Sequence, residues 1–332
     1  PMGGSMRVAE NLNAALHGLL DDDPTAYMIG EDIIDPYGGA FKVTKGLSTR
    51  FPGRVIGTPI SEGALTGVAA GLALTGNTAV AEIMFGDFVA LAFDQLCNFA
   101  SKSVSMYGRR LPLRMVVRCP TGGGRGYGPT HSQSLQKHFV GMPGLSLYEM
   151  SPFHDNRAVL GAMLERGEPC VFFEDKVLYT RQMDQVDPLF TVRREGDLAV
   201  VDLRGPDARP DCVIIAPGGM AHRALAAMRS LLVEQEISCR LLVPSRLYPL
   251  DADALLPFLG EVVLVAEEST AGGTWGSEVA HLLHARLWGR LRGPVRLVHS
   301  RASVIPTAAH LENEVLVGES TIHHAVREAL RG

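Results

Sequence analysis

The sequence predicts an α/β fold of two domains, each built on a parallel sheet. Three observations lead there. Helical and strand patterns alternate along the chain, the order that produces parallel sheets joined by crossover helices. The length, 332 residues, suits two domains of ordinary size. A polar, broken stretch near residues 180–210 separates two such alternating series. The domains are therefore expected over 7–185 and 206–332, with a linker at 186–205 carrying one short strand.

The elements follow in order. "MRVAENLNAALHGLLDDDP" is an amphipathic helix closed by acids and Pro24, and "AYMIGED" is a buried strand ending on acids. Ser61 opens the small-residue helix "SEGALTGVAAGLALTG" as its N-cap. The strand "NTAVAEIMF" leads into a helix over "DFVALAFDQLCNFASKSVSMYG". "LPLRMVVRCP" is a strand that runs straight into a glycine-rich loop, and "DNRAVLGAMLER" with "PCVFFED" adds a helix and a strand. The second series contains "DCVIIAPGG" and its helix, "SCRLLVP", "EVVLVAEE", a helix from about Trp275, and "PVRLVHS".

Composition excludes several classes. Apolar residues make up 46% and charged residues 20%, a globular balance. A net charge of -5 gives no sign of nucleic acid or an anionic membrane as partner. No apolar run is long enough to span a bilayer. Residues 1–6, "PMGGSM", read as an expression remnant, and no signal peptide follows. The five cysteines are scattered with no C-x-x-C pair, so neither a zinc site nor a disulfide framework is expected. A reducing cytoplasm is the expected location.

Three places could carry chemistry. Glu62 stands at the first turn of a helix after a strand, where an acid either stabilises the helix N-terminus or lies at the mouth of a parallel sheet, where α/β ligands bind. Met84, Phe85, Asp87 and Phe88 in "EIMFGDF" lie at a strand end, and the aromatics there serve either as core or as a stacking surface for a flat heterocycle. The loop "GGGRGYGPTHSQS", 122–134, is neither a Walker loop, lacking Gly-Lys-Ser/Thr, nor a G-x-G-x-x-G on a first strand. Its glycines either turn the chain or allow a close backbone approach. Within it, His131 is a hydrogen-bonded structural residue or an acid–base group.

Taken together, "YGGAFKVTKGL", "TPISEGALTGVAAGLALTG", "FDQLCNFASKSVSMYG", "GYGPTHSQS" and "MPGLSLYEMSP" resemble the beta subunit of thiamine-diphosphate-dependent 2-oxo acid dehydrogenases. The resemblance covers essentially the whole chain. It implies a transketolase-type pyrimidine-binding domain followed by a transketolase C-terminal domain. It also implies half an active site, because no G-D-G motif followed by Asn is present to hold magnesium and the diphosphate. Those would sit on an alpha subunit, in an assembly of two alpha and two beta chains.

The resemblance assigns roles residue by residue. Glu62 falls on the catalytic glutamate, whose carboxylate bonds the pyrimidine nitrogen and so helps the cofactor deprotonate itself. Ile60, Met84 and Phe88 fall on the pyrimidine-lining positions, with Phe88 stacking. His131 falls on the histidine that handles protons and orients the 2-oxo acid. Gly86 and Asp87, the latter a candidate substrate contact, stand where pyruvate dehydrogenases have Phe and Asn, so the pocket floor is altered and a pyruvate specificity does not follow from the resemblance. Arg125 and Tyr127 either contact the substrate or face the alpha chain. The backbone carbonyls of Met115, Met163, Arg166 and Glu168 match a potassium site. The second domain is expected to serve assembly and to dock a lipoyl acyltransferase, the acyl acceptor. A split transketolase-like or acyloin-forming enzyme, and a catalytically silent scaffold subunit, are the alternatives.

Overall fold

A computed structural model describes residues 6–205 and 209–332. Residues 1–5 of the expected remnant, and the expected boundary at 206, lie outside the described residues.

The first sheet contains β1 (Ala26–Gly30), β2 (Val55–Gly57), β3 (Thr78–Glu82), β4 (Met115–Thr121), β5 (Ser146–Glu149) and β6 (Cys170–Asp175). They run parallel in the order β5-β6-β4-β3-β1-β2. The strands of the centre, β3, β4 and β6, are buried at every residue, as a sheet covered on both faces requires. One face carries helix Val8–Asp22, whose Val8, Leu12, Ala15, Leu16 and Leu20 recur at helical spacing and bury against helix Asn156–Glu165 and the sheet. The other face carries helix Glu62–Leu74 and the segment after β3.

The second sheet contains β7 (Phe190–Glu195), β8 (Leu198–Leu203), β9 (Cys212–Ile215), β10 (Cys239–Pro244), β12 (Val263–Thr270) and β13 (Arg296–Ser300), in the order β13-β12-β9-β10-β8-β7. Between β10 and β12 in sequence, β11 (Arg246–Tyr248) crosses to the first sheet and pairs antiparallel with β5. Core residues of both domains, including Leu147, Val200, Val213 and Trp275, merge into one cluster.

Three sequence expectations change. The stretch 186–205 is not a linker: β7 and β8 form an antiparallel hairpin there that closes the edge of the second sheet. Its exposed outer strand reads as polar because only Phe190 of β7 is buried. Both sheets are accordingly mixed at their edges rather than wholly parallel. The helix expected after β3 forms as a 3-10 segment, Gly86–Ala92, then a π-helical turn, Gln95–Ala100, and a short α-turn, Ser101–Ser103. Ser101 and Ser103 donate to the carbonyls of Cys97 and Phe99, at 2.9 and 2.8 Å, which favours such distortion.

Candidate active site

Parallel strands deliver their C-terminal ends to one edge of the sheet, where α/β ligands bind. Four adjacent strands do so here. Glu31 follows β1, Met84–Phe88 follow β3, the glycine-rich loop follows β4, and Lys176 follows β6. Glu62 follows β2 as the first residue of helix Glu62–Leu74. That helix packs on the segment after β3, with Gly63 close to the Leu91 carbonyl.

His131 stands in an aromatic corner. Its ring centroid lies 4.7 Å from Phe85 and 5.2 Å from Phe88, both edge-on. Tyr127 meets Phe85 at 6.0 Å, again edge-on. His131 Nδ1 pairs with Thr130 Oγ1 at 3.0 Å, and Nε2 has no protein partner among the described residues. Beneath the loop, the fully buried Lys176 donates to the His131 carbonyl at 2.9 Å. Burial lowers the Lys176 pKa, although the charges of Asp87, Asp175 and Glu268 act to raise it.

Asp87 is buried. Its Oδ1 accepts from the Gln133 backbone N–H at 3.1 Å and from Gln133 Nε2 at 2.9 Å. Its Oδ2 is buried without a partner among the described residues. Asp87 thus fixes the loop two residues past His131. Glu62 is 5% exposed, and no hydrogen bond or ion pair engages its carboxylate among the described residues. Its neighbour Glu31 accepts from the Ser61 N–H at 3.3 Å. Burial, and then the Glu62 charge, push the Glu31 carboxyl above its ordinary range. An unengaged carboxylate at the sheet edge that also carries these edge-on rings would suit an aromatic heterocycle that can share a proton.

Behind this edge lies a cluster in which one guanidinium serves two buried carboxylates. Arg118 on β4 donates from Nε and Nη2 to both Glu174 oxygens, at 2.7 and 2.8 Å, and from Nη1 to Glu82 at 2.6 Å. Tyr179 closes it by donating to Glu174 at 2.6 Å.

The structure brings His131, Phe88, Asp87 and Tyr127 together and half-buries Met84 beside them. Arg125 is also half-buried, and its charge reaches Lys176. Ile60 is 82% exposed on the segment before Glu62 and makes no wall in this chain alone. The residues expected to bind potassium lie apart, around the opposite end of the sheet, where β4 begins at Met115. They do not fit that ion. The Met163 carbonyl already accepts from the Arg166 N–H at 3.3 Å and from Cys170 Sγ at 3.5 Å. The Arg166 guanidinium, a fixed cation, pairs with Glu168 at 2.6 Å and donates to Ser146 at 2.8 Å. That pair leaves no uncompensated negative charge there for a potassium ion to meet.

Sequence reasoning missed Glu31, Gln133 and Lys176. Glu31 and Lys176 carried a usable signal, a charge directly after a buried strand. Gln133 carried none, because its role depends on a loop folding back to Asp87.

Known proteins give the same outline. Residues 5–182 match the transketolase pyrimidine-binding domain, and residues 203–322 match the transketolase C-terminal domain. The chain is 31% identical to the pyruvate dehydrogenase E1 component subunit beta of Saccharomyces cerevisiae, covering 98% of this chain and 89% of the relative. It is also 31% identical to the 2-oxoisovalerate dehydrogenase subunit beta of Bacillus subtilis, covering 97% and 98%. The acetoin:2,6-dichlorophenolindophenol oxidoreductase subunit beta of Cupriavidus necator is 28% identical, covering 100% and 99%. Among solved structures, a split-gene transketolase described as an inactive beta4 tetramer matches with a TM-score of 0.72 over 99% of each chain. At 23% identity that likeness is one of fold.

Proposed function

We infer, since this chain belongs to the thiamine-diphosphate-dependent family of 2-oxo acid dehydrogenase beta subunits, that it supplies the pyrimidine-binding half of a decarboxylating active site. The other half, with magnesium and the diphosphate-binding motif, sits on an alpha subunit in a two-alpha, two-beta assembly. The observation that carries this reading is the unengaged, buried Glu62 carboxylate at the same sheet edge as the His131 aromatic corner.

When bound, thiamine diphosphate supplies the nucleophilic carbon and electron sink that decarboxylation of a 2-oxo acid requires. This chain's residues prepare the site for it. Glu62 holds a proton at the pyrimidine ring nitrogen. Phe88 and Met84 exclude water from the ring, and Ile60 joins them once the alpha chain covers it. His131, its Nδ1 occupied by Thr130, offers Nε2 to give or take a proton at the substrate. Lys176 and Asp87 fix the backbone at that residue and two residues beyond it. Arg125 and Tyr127 contact the substrate's carboxylate end. Gly86 and Asp87 reshape the floor toward a 2-oxo acid other than pyruvate. A lipoyl acyltransferase docked on the second domain would take the fragment as an acyl thioester, its lipoyl disulfide accepting the two electrons and opening to a thioester and a thiol. Among the described residues no helix is long and apolar enough to cross a membrane.

The test is carbon dioxide release from a panel of 2-oxo acids, with thiamine diphosphate, magnesium and 2,6-dichlorophenolindophenol. The chain is assayed alone and assembled with an alpha-type protein. Release only from the assembly, with a branched or otherwise non-pyruvate optimum, is expected. An intact assembly that releases nothing from any acid would overturn the decarboxylase reading and favour a carboligating enzyme or a silent subunit.

A further inference from the structure

The glycine-rich loop grips carboxylates of the second domain. Gly124 and Gly126 take positive φ, +82° and +69°, the alternation that turns successive backbone N–H groups into an anion-binding concavity. The anion is internal. The Gly124 N–H donates to Glu312 Oε1 at 2.8 Å and the Gly126 N–H to Glu312 Oε2 at 3.1 Å. The adjacent Gly123 N–H donates to Glu268 Oε1 at 2.6 Å. Glu312, on helix Ala309–Val315, is 2% exposed, and these two N–H groups are the only hydrogen-bond donors to its carboxylate among the described residues. The seat is tight: a Cβ at Gly123 would come within 2.4 Å of Leu316 Cδ1. The Arg223 guanidinium, which pairs with Glu268, also feels the Glu312 charge.

We propose that Glu312 is a positioning residue for the active-site loop: its carboxylate, held in the Gly124–Gly126 concavity, fixes the path of the segment that carries Arg125, Tyr127 and His131. The two carboxylate oxygens span the residue between the glycines, so Arg125 has no freedom to swing as a unit. The same clamp sets where the chain enters the Thr130–His131 turn. The second domain thereby shapes the site as well as the assembly. The catalytic meaning of the clamp rests on the decarboxylase reading above, whereas the clamp itself does not.

The experiment therefore has two arms, both on the complex with the alpha chain. Hydrogen–deuterium exchange of peptides covering 122–134 tests the clamp without any turnover. Glu312→Gln removes the charge, and exchange there is expected to rise about tenfold, with the β3 and β4 peptides unchanged. Glu314→Gln, on the exposed side of the same helix, is expected to leave the loop at the parent rate. Unchanged loop exchange in Glu312→Gln would overturn the proposal. Should that variant fail to assemble, Glu312→Asp, which withdraws the charge by one methylene, gives the same reading. The second arm is a double-mutant cycle on kcat. If Glu312 acts through His131, Glu312→Gln lowers kcat more than it raises KM, and adds nothing to His131→Ala. Fully additive losses would reduce Glu312 to a structural strut. A complex whose parent form releases no carbon dioxide would refute the functional reading and leave the exchange result to decide the clamp.

Discussion

Two buried charge clusters occupy the same sheet. Around Arg118 each guanidinium edge meets a carboxylate, and Tyr179 completes Glu174. At the C-terminal edge the pattern is the reverse: among the described residues Glu62 is unengaged, and one oxygen of Asp87 is buried without a partner. Burial of an uncompensated charge is costly, so folding alone does not account for the second cluster. A matched network marks architecture, and an unmatched one marks a place prepared for something else.

Replacing a member of each cluster sharpens that contrast. Glu62→Gln is expected to lower carbon dioxide release by the assembled complex by about 10²–10⁴-fold, with the thermal midpoint unchanged or higher. A loss of stability would place Glu62 with the architecture. Arg118→Met should do the opposite. It strands two buried carboxylates and is expected to cost about 3–5 kcal/mol in denaturant unfolding, and a cost under 1 kcal/mol would break the comparison. His131→Gln is expected to reduce kcat by about 10²-fold while leaving the unfolding midpoint in place.

A third cluster, between the domains, gives a smaller and pH-dependent effect. Burial raises the Glu149 carboxyl to about 8, although the Gly219 N–H and Gln136 donate to it. Burial and the Glu268 charge raise Asp175 to about 7. The unfolded chain releases these protons near 4.5 and 3.8, so the native state binds more protons up to about pH 8 and loses stability as pH rises. Buried His154 and His222, lowered to about 4 and about 3, act oppositely but only below their ordinary value of 6.5. Above pH 6.5 the opposing effect of these histidines fades, and of these four groups the acids carry the larger change toward pH 8. Stability should fall there by at most about 1.4 kcal/mol per pH unit for each group, and Glu149→Gln should flatten the slope. A stability that rises over that range would contradict it. The smallest expected effect is none: replacing potassium by tetramethylammonium at equal ionic strength should leave the thermal midpoint unmoved, because Arg166 already supplies the cation.

The alternating order, and most of the strands, were legible because buried strands carry continuous apolar runs, such as β9 and the first half of β12. The hairpin β7–β8 was not, since an edge strand with one buried residue has no apolar run to read. β11 was invisible for a different reason: three residues acquire strand geometry only by reaching a sheet built from distant sequence. Glu62 and His131 stood out through the family resemblance, not through local pattern. The partners that hold the loop, Glu312 at one end and Asp87 with Gln133 at the other, join residues far apart in the chain, and no spacing rule encodes such pairs.

The loan of β11 to the first sheet bears on how such chains can be recombined. A first domain cut away at its boundary would expose β5 as a bare, unpaired edge, open to pairing with other molecules. A second domain taken from another lineage would have to bring a three-residue strand of matching register. The two domains are thus inherited most safely as one unit, and an exchange between relatives succeeds more readily between whole chains than at the junction.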